Sequence, residues 1–187
     1  MSSPPAGKPG LSGSSSRETF LRVWEREFRT TLRVLRAFPE GALGGKPHER
    51  SRTARDLAWQ CVIDEGLIGT IPERTVHELR NAPPRPGPPD TIEAIAKAYE
   101  FAHLEAFGKV VSLSEEEFGR AVSSILKGGD PRSEHAYEWN MPQPDALWAN
   151  LMDQVHHRGQ LTIYLRLAGG KVPSLYGPSG DQPSPAY

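Results

Sequence analysis

Residues 144–170 read PDALWANLMDQVHHRGQLTIYLRLAGG, and this stretch decides the fold. Pro144 suits the first turn of a helix, where its missing N–H removes no hydrogen bond. Gly169 and Gly170 supply the stop. A helix is therefore predicted from about Asp145 to Leu167. At about 100° of rotation per residue, Leu147, Trp148, Leu151, Met152, Val155, Ile163 and Leu165 spread over most of its circumference. A helix so apolar all round is expected to be largely buried in a bundle. One stripe is polar: Asn150, Asp153, His157, Gln160 and Tyr164 follow one another at alternating spacings of three and four. Buried polar groups need partners or a ligand, since each one left unpaired costs about 1–3 kcal/mol. The stripe is thus the first candidate site.

Within it, Asp153 and His157 stand at i and i+4. That spacing offers a carboxylate and an imidazole to one point, and divalent metals take both ligand types. It also makes an ordinary helix pair, with Asp153 accepting a hydrogen bond from His157 and no ion involved. Spacing leaves both readings open. His156 points about 100° away and cannot easily share the same ion. His48, His77, His103 and His135 form no pattern with chemical content.

Upstream, Ser15 followed by Glu18 forms a capping-box signature. Leu21, Trp24, Phe28, Thr31, Leu35 and Phe38 then mark one face of a long helix, ended by Pro39, Gly41, Gly44 and Gly45. A second helix is predicted from Thr53, with Asp56 three residues on, to the region of Gly66–Gly69. The run APPRPGPPD at 82–90 cannot be helical. It reads as part of a long crossover. A third helix runs from Asp90 or Thr91 to Val111, and Ser114 with the acids after it opens a short extra one. KGGDPRSEHAYEWNMPQP reads as irregular, and no strand-like alternation of useful length appears. The plain architecture is an all-α four-helix bundle with long crossover connections and disordered tails. Its parts are a disordered N-terminal tail at 1–15, the bundle at 16–168 and a Pro/Gly/Ser-rich, partly disordered tail at 169–187.

Composition narrows the function classes. With 22 basic and 23 acidic residues, the chain has no excess of cations for a phosphate backbone, so no nucleic-acid partner is expected. Nothing approaches the roughly 18 apolar residues of a membrane span. Cys61 is the single cysteine, with no internal partner, which places the chain in a reducing cytoplasm and makes Cys61 a buried structural thiol. Gly159 is expected where two helices approach closely.

HHRGQLTIYLRLAGGKVPSLYGPSGD at 156–181 resembles the end of the last helix and the following tail in the DinB/YfiT-like family of metalloproteins. KPHERSRTARDLAWQ at 46–60 resembles the segment leading into that family's second helix. The resemblance covers roughly residues 16–181 and is weakest in the middle. It implies a four-helix fold, often homodimeric, with a divalent metal held by three histidines, one on the second helix and two on the last. Carried onto this chain, those positions are Gln60, Asp153 and His157, so only His157 keeps the family's residue. Such a set shifts the preference toward harder ions, with zinc, nickel or manganese as candidates. The alternative is a site that has lost its metal. Asn150, Gln160, Tyr164 and Asp64 are candidates for the surrounding pocket. Asp64, four residues after Gln60, is either a replacement carboxylate or an ordinary ion-paired acid. Arg158 either pairs with an acid or lines the pocket. The implied activity is that of a metal-dependent thiol transferase or hydrolase acting on a small molecule or thiol. The competing expectation is a damage-inducible, stress-response homodimer that binds small molecules without catalysis.

Overall fold

In the computed structural model, which describes residues 14–73, 76–78, 86–127 and 136–184, the first helix, α1 (Ser16–Arg36), starts on the expected capping box. The Ser15 hydroxyl accepts from the Glu18 amide at 3.1 Å, and the Glu18 carboxylate accepts from the Ser15 amide at 3.1 Å. The second helix, α2 (Ala54–Thr70), repeats the device with Thr53 and Asp56. A third, α3 (Ile92–Val111), is capped by Thr91. The short α4 (Glu115–Gly119) starts on a Ser114–Glu117 box, and α5 (Gln143–Leu167) completes the set. Caps of this kind satisfy amide groups that the helix itself leaves open. They are why four of the five helix starts follow from sequence.

Helix α2 lies against α3 and α5, and α1 lies against the same two, so α1 and α2 occupy opposite corners of the bundle. Two apolar clusters fill it. One gathers Val34, Leu35, Leu57, Ala58, Cys61, Ile95, Tyr99, Leu161 and Leu165. The other gathers Phe20, Trp24, Ile68, Ala106, Val110, Phe118, Leu147 and Leu151. Cys61 is fully buried, as expected of a structural thiol, and burial pushes its thiol far above the ordinary range. The close helix approach is at Gly69, where a Cβ would stand 2.7 Å from the Ala106 Cβ. Gly159, expected in that role, has open space there instead.

The expectation that α5 is buried all round is corrected. Met152, Ile163 and Leu167 are exposed, and the buried face is Leu147, Leu151, Gln154, Arg158, Leu161 and Leu165. Those positions step by four, three, four, three and four, the narrow seam of a helix that touches its neighbours on one side.

A small sheet departs from the irregular reading of the connections. Strand β1 (Val76–Glu78) runs parallel to β2 (Ala121–Lys127), and β2 runs antiparallel to β3 (Ala136–Pro142) with Val122 opposite Met141. The segments carry β-formers such as Val122, Ile125, Tyr137 and Trp139. Two are seven residues long and one is three, too short for alternation to stand out.

After α5 the chain turns at Gly169, whose φ of +78° suits glycine. The Pro/Gly/Ser-rich tail then returns along the bundle as far as residue 184. Val172, Pro173 and Ser174 are buried, and Asp181 accepts from the Val172 amide at 2.9 Å and from Arg166 at 2.8 Å. The expected N-terminal tail lies, up to residue 13, outside the described residues, as do 82–85 of the crossover and 128–135. No helix among the described residues is long and apolar enough to cross a membrane.

Candidate metal centre

Asp64 on α2 faces Asp153 and His157 on α5. One ligand atom from each of the three lies within 4.8 Å of the other two. His157 Nδ1 is 2.8 Å from an Asp64 carboxylate oxygen and 3.9 Å from one of Asp153. Accessibility rises in steps, with Asp64 side chain 4% exposed, His157 15% and Asp153 61%. The set therefore opens to solvent on the Asp153 side. Burial pushes the Asp64 carboxyl up, and the nearby Asp153 adds to this. Hydrogen bonds from Gln60 and His157 oppose the rise without cancelling it.

Gln60 stands beside this set. Its amide donates to Asp64 Oδ1 at 2.7 Å, and its carbonyl oxygen accepts from Arg52 at 3.0 Å. With its oxygen engaged by a guanidinium, Gln60 orients Asp64, and Asp64 is the α2 residue whose oxygen reaches His157. Asn150 donates back to the Ala146 carbonyl of its own helix at 2.8 Å. Gln160 bonds to His156 at 2.8 Å, and the Tyr164 hydroxyl donates to the Arg52 carbonyl at 3.1 Å. Gln160, Tyr164 and His157 nevertheless share the lining of a cleft of about 500 Å³ with Arg52, Leu57 and Ile163.

Immediately behind this surface lies a polar layer that sequence reasoning missed. Asp64, Asp153 and His157 are followed in sequence by Glu65, Gln154 and Arg158, each turned into the bundle and no more than 1% exposed. Glu65 accepts from the Trp24 indole at 2.8 Å, meets His103 Nδ1 at 2.6 Å and takes a short bond from the Gln154 amide. The other ring nitrogen of His103 is 3.0 Å from Glu25, and its ring stacks on Phe28 at 3.8 Å. Tyr99 donates to Gln154 at 3.1 Å. Arg158 pairs with Glu27 at 2.8 Å, and the Tyr176 hydroxyl donates to Glu27 at 2.5 Å. Arg158 thus pairs with an acid and does not line the cleft. Burial raises the Glu27 carboxyl, yet the bonds from Tyr176 and Arg158 outweigh it and hold the group below its ordinary range. Every buried side-chain nitrogen and oxygen among the described residues has a partner.

A visible signal for this layer was available. Extending the frame of Leu147, Leu151, Leu161 and Leu165 places Gln154 and Arg158 on the buried seam. Glu65 and His103 gave no such hint, because their partners come from other helices.

Comparison with known proteins places the chain in a family and a fold. A model of the DinB family matches residues 12–184. The uncharacterized protein YrdA of Bacillus subtilis (strain 168) is 26% identical over 164 residues, covering 87% of this chain and 89% of its own. A DinB-like protein from Bacillus cereus ATCC 10987, solved by crystallography, superimposes with a TM-score of 0.64 at 22% identity, covering 85% of this chain and 97% of that one. A second crystal structure, the DinB-like protein YjoA of Bacillus subtilis, gives 0.61 at 17%, covering 88% and 99%. At those identities the two structures establish the shared fold.

Proposed function

The chain belongs to the DinB family, and on that footing we propose that it binds one divalent metal ion through Asp64, Asp153 and His157 and uses it on a small molecule. The observation that carries this reading is the convergence of the three ligand atoms within 4.8 Å, drawn from two helices. Two carboxylate oxygens and one imidazole nitrogen make a mixed donor set suited to zinc or manganese. The set differs from a three-imidazole site, and Asp64 takes the part expected of Gln60. When bound, an ion here would lower the pKa of a thiol or water and hold the resulting anion. That chemistry is the basis of a thiol transferase or a hydrolase. The residues do the rest: Gln60 keeps Asp64 turned toward His157, and the exposed Asp153 leaves a side open for substrate.

A second reading has its own support. The 2.8 Å contact already satisfies His157 and Asp64 with no ion present. In that case the cleft binds a small molecule without catalysis.

Metal content separates the two. Untagged protein incubated with zinc, nickel or manganese and desalted should retain about one ion per chain by mass spectrometry. His157→Ala and Asp64→Ala should each retain less than a tenth of that. Protein that comes through without metal sinks the first reading and leaves the second.

A further inference from the structure

The cleft beside His157 has a lining whose charge is opposite to that of the metal set. Asp64 and Asp153 make the set acidic. The cleft lining is Arg52, Ser51, Pro47, Leu57 and the α5 residues His157, Gln160, Ile163 and Tyr164, with no carboxylate among them. Among the described residues, Arg52 is its one permanent cation. The guanidinium is exposed but held, since one amino group donates to Gln60, and the Tyr164 hydroxyl fixes the Arg52 backbone. A chain of contacts runs from Arg52 to Gln60, to Asp64 and to His157 at 3.0, 2.7 and 2.8 Å. One glutamine side chain therefore separates the cation from the acidic set. Apolar groups line the cleft as well: the buried Leu57, and Ile163, which is 58% exposed.

We infer that the cleft takes a small organic carboxylate, with its charged end on Arg52, a short apolar segment against Leu57 and Ile163, and its far end at His157. A planar guanidinium matches a carboxylate, and one cation balances one such charge. A phosphate dianion would call for more cations than this lining holds. The volume of about 500 Å³ falls in the range of small-molecule sites. Calling that molecule a substrate rests on the metal reading above; its binding does not.

The test uses hexanoate and hexanamide, which share a chain and differ in charge, each titrated into the full-length protein with and without zinc and followed by amide NMR. Hexanoate should shift the signals of Ser51, Arg52, Gln160 and Tyr164 and bind about tenfold more tightly than hexanamide. Arg52→Gln should level the two. Arg55→Gln, which removes an exposed cation paired with Asp90, should leave the preference intact. Equal affinities, shifts elsewhere on the surface, a preference that survives Arg52→Gln, or no binding by hexanoate at 10 mM (roughly the weakest useful affinity) would each overturn the inference. If zinc fails to bind while the Arg52-dependent preference persists, the metal reading falls and the carboxylate site stands. Zinc binding with no such preference gives the reverse.

Discussion

At the scale of single residues, the candidate site was half legible. The i, i+4 spacing of Asp153 and His157 placed them together, and the structure brings their ligand atoms within 3.9 Å. Gln60 and Asp64 were harder to rank, because both lie on one face of α2 and which of them reaches α5 depends on helix register. The structure turns the Asp64 carboxylate to His157 and uses Gln60 to hold it. A neutral amide oxygen is a weak ligand beside a carboxylate, so in the proposed site the acid one turn on would serve where Gln60 would not. The double substitution Gln60→His with Asp153→His tests whether the scaffold still supports a nitrogen-rich site. Zinc affinity should rise at least about tenfold, equivalent to roughly 1.4 kcal/mol, in competition with a chromophoric chelator. An unchanged affinity would mean that position 60 does not face the proposed site.

At the scale of helices, starts and stops were legible because capping is local. Ser15 with Glu18 and Thr53 with Asp56 are each read from four consecutive residues. The small sheet was not, because its strands are short and the eight residues at 128–135 between β2 and β3 are too many for the two-residue turn that marks a hairpin in sequence. Glycines sharpen the same point. Gly69 and Gly159 look alike in sequence, both inside helices. A Cβ at Gly69 would stand 2.7 Å from the Ala106 Cβ and 2.8 Å from its Cα, whereas one at Gly159 meets nothing within 4 Å. Gly69→Ala should therefore destabilise by about 1–3 kcal/mol through forced separation of α2 and α3. Gly159→Ala should stabilise by about 0.5–1 kcal/mol, because alanine loses less backbone freedom in a helix. Urea unfolding of the two variants against the parent chain reads both signs. Equal effects would refute the assignment of the close contact to Gly69.

At the scale of the whole molecule, the polar layer is what the sequence concealed most completely. It separates the two apolar clusters, and most of its contacts join distant residues, from Glu65–His103 at 38 positions apart to Glu27–Tyr176 at 149. No window of sequence contains such a pair. Glu27 is its most testable member, since it faces a guanidinium that is 1% exposed. Removing one partner of a buried pair strands the other charge, so Glu27→Gln should cost about 3 kcal/mol at pH 7. That cost should depend on pH with a definite sign. The folded chain holds Glu27 below its ordinary value, so the unfolded chain takes up the proton first as pH falls through about 4.3. The stability that ionised Glu27 contributes is complete above that value and fades as pH drops toward the folded value. The parent chain should thus lose its advantage over Glu27→Gln on acidification. Chemical unfolding at pH 7, 5 and 4 and below measures the gap, and a gap that stays constant into the acid range would show that Glu27 supports the fold by shape and not by charge.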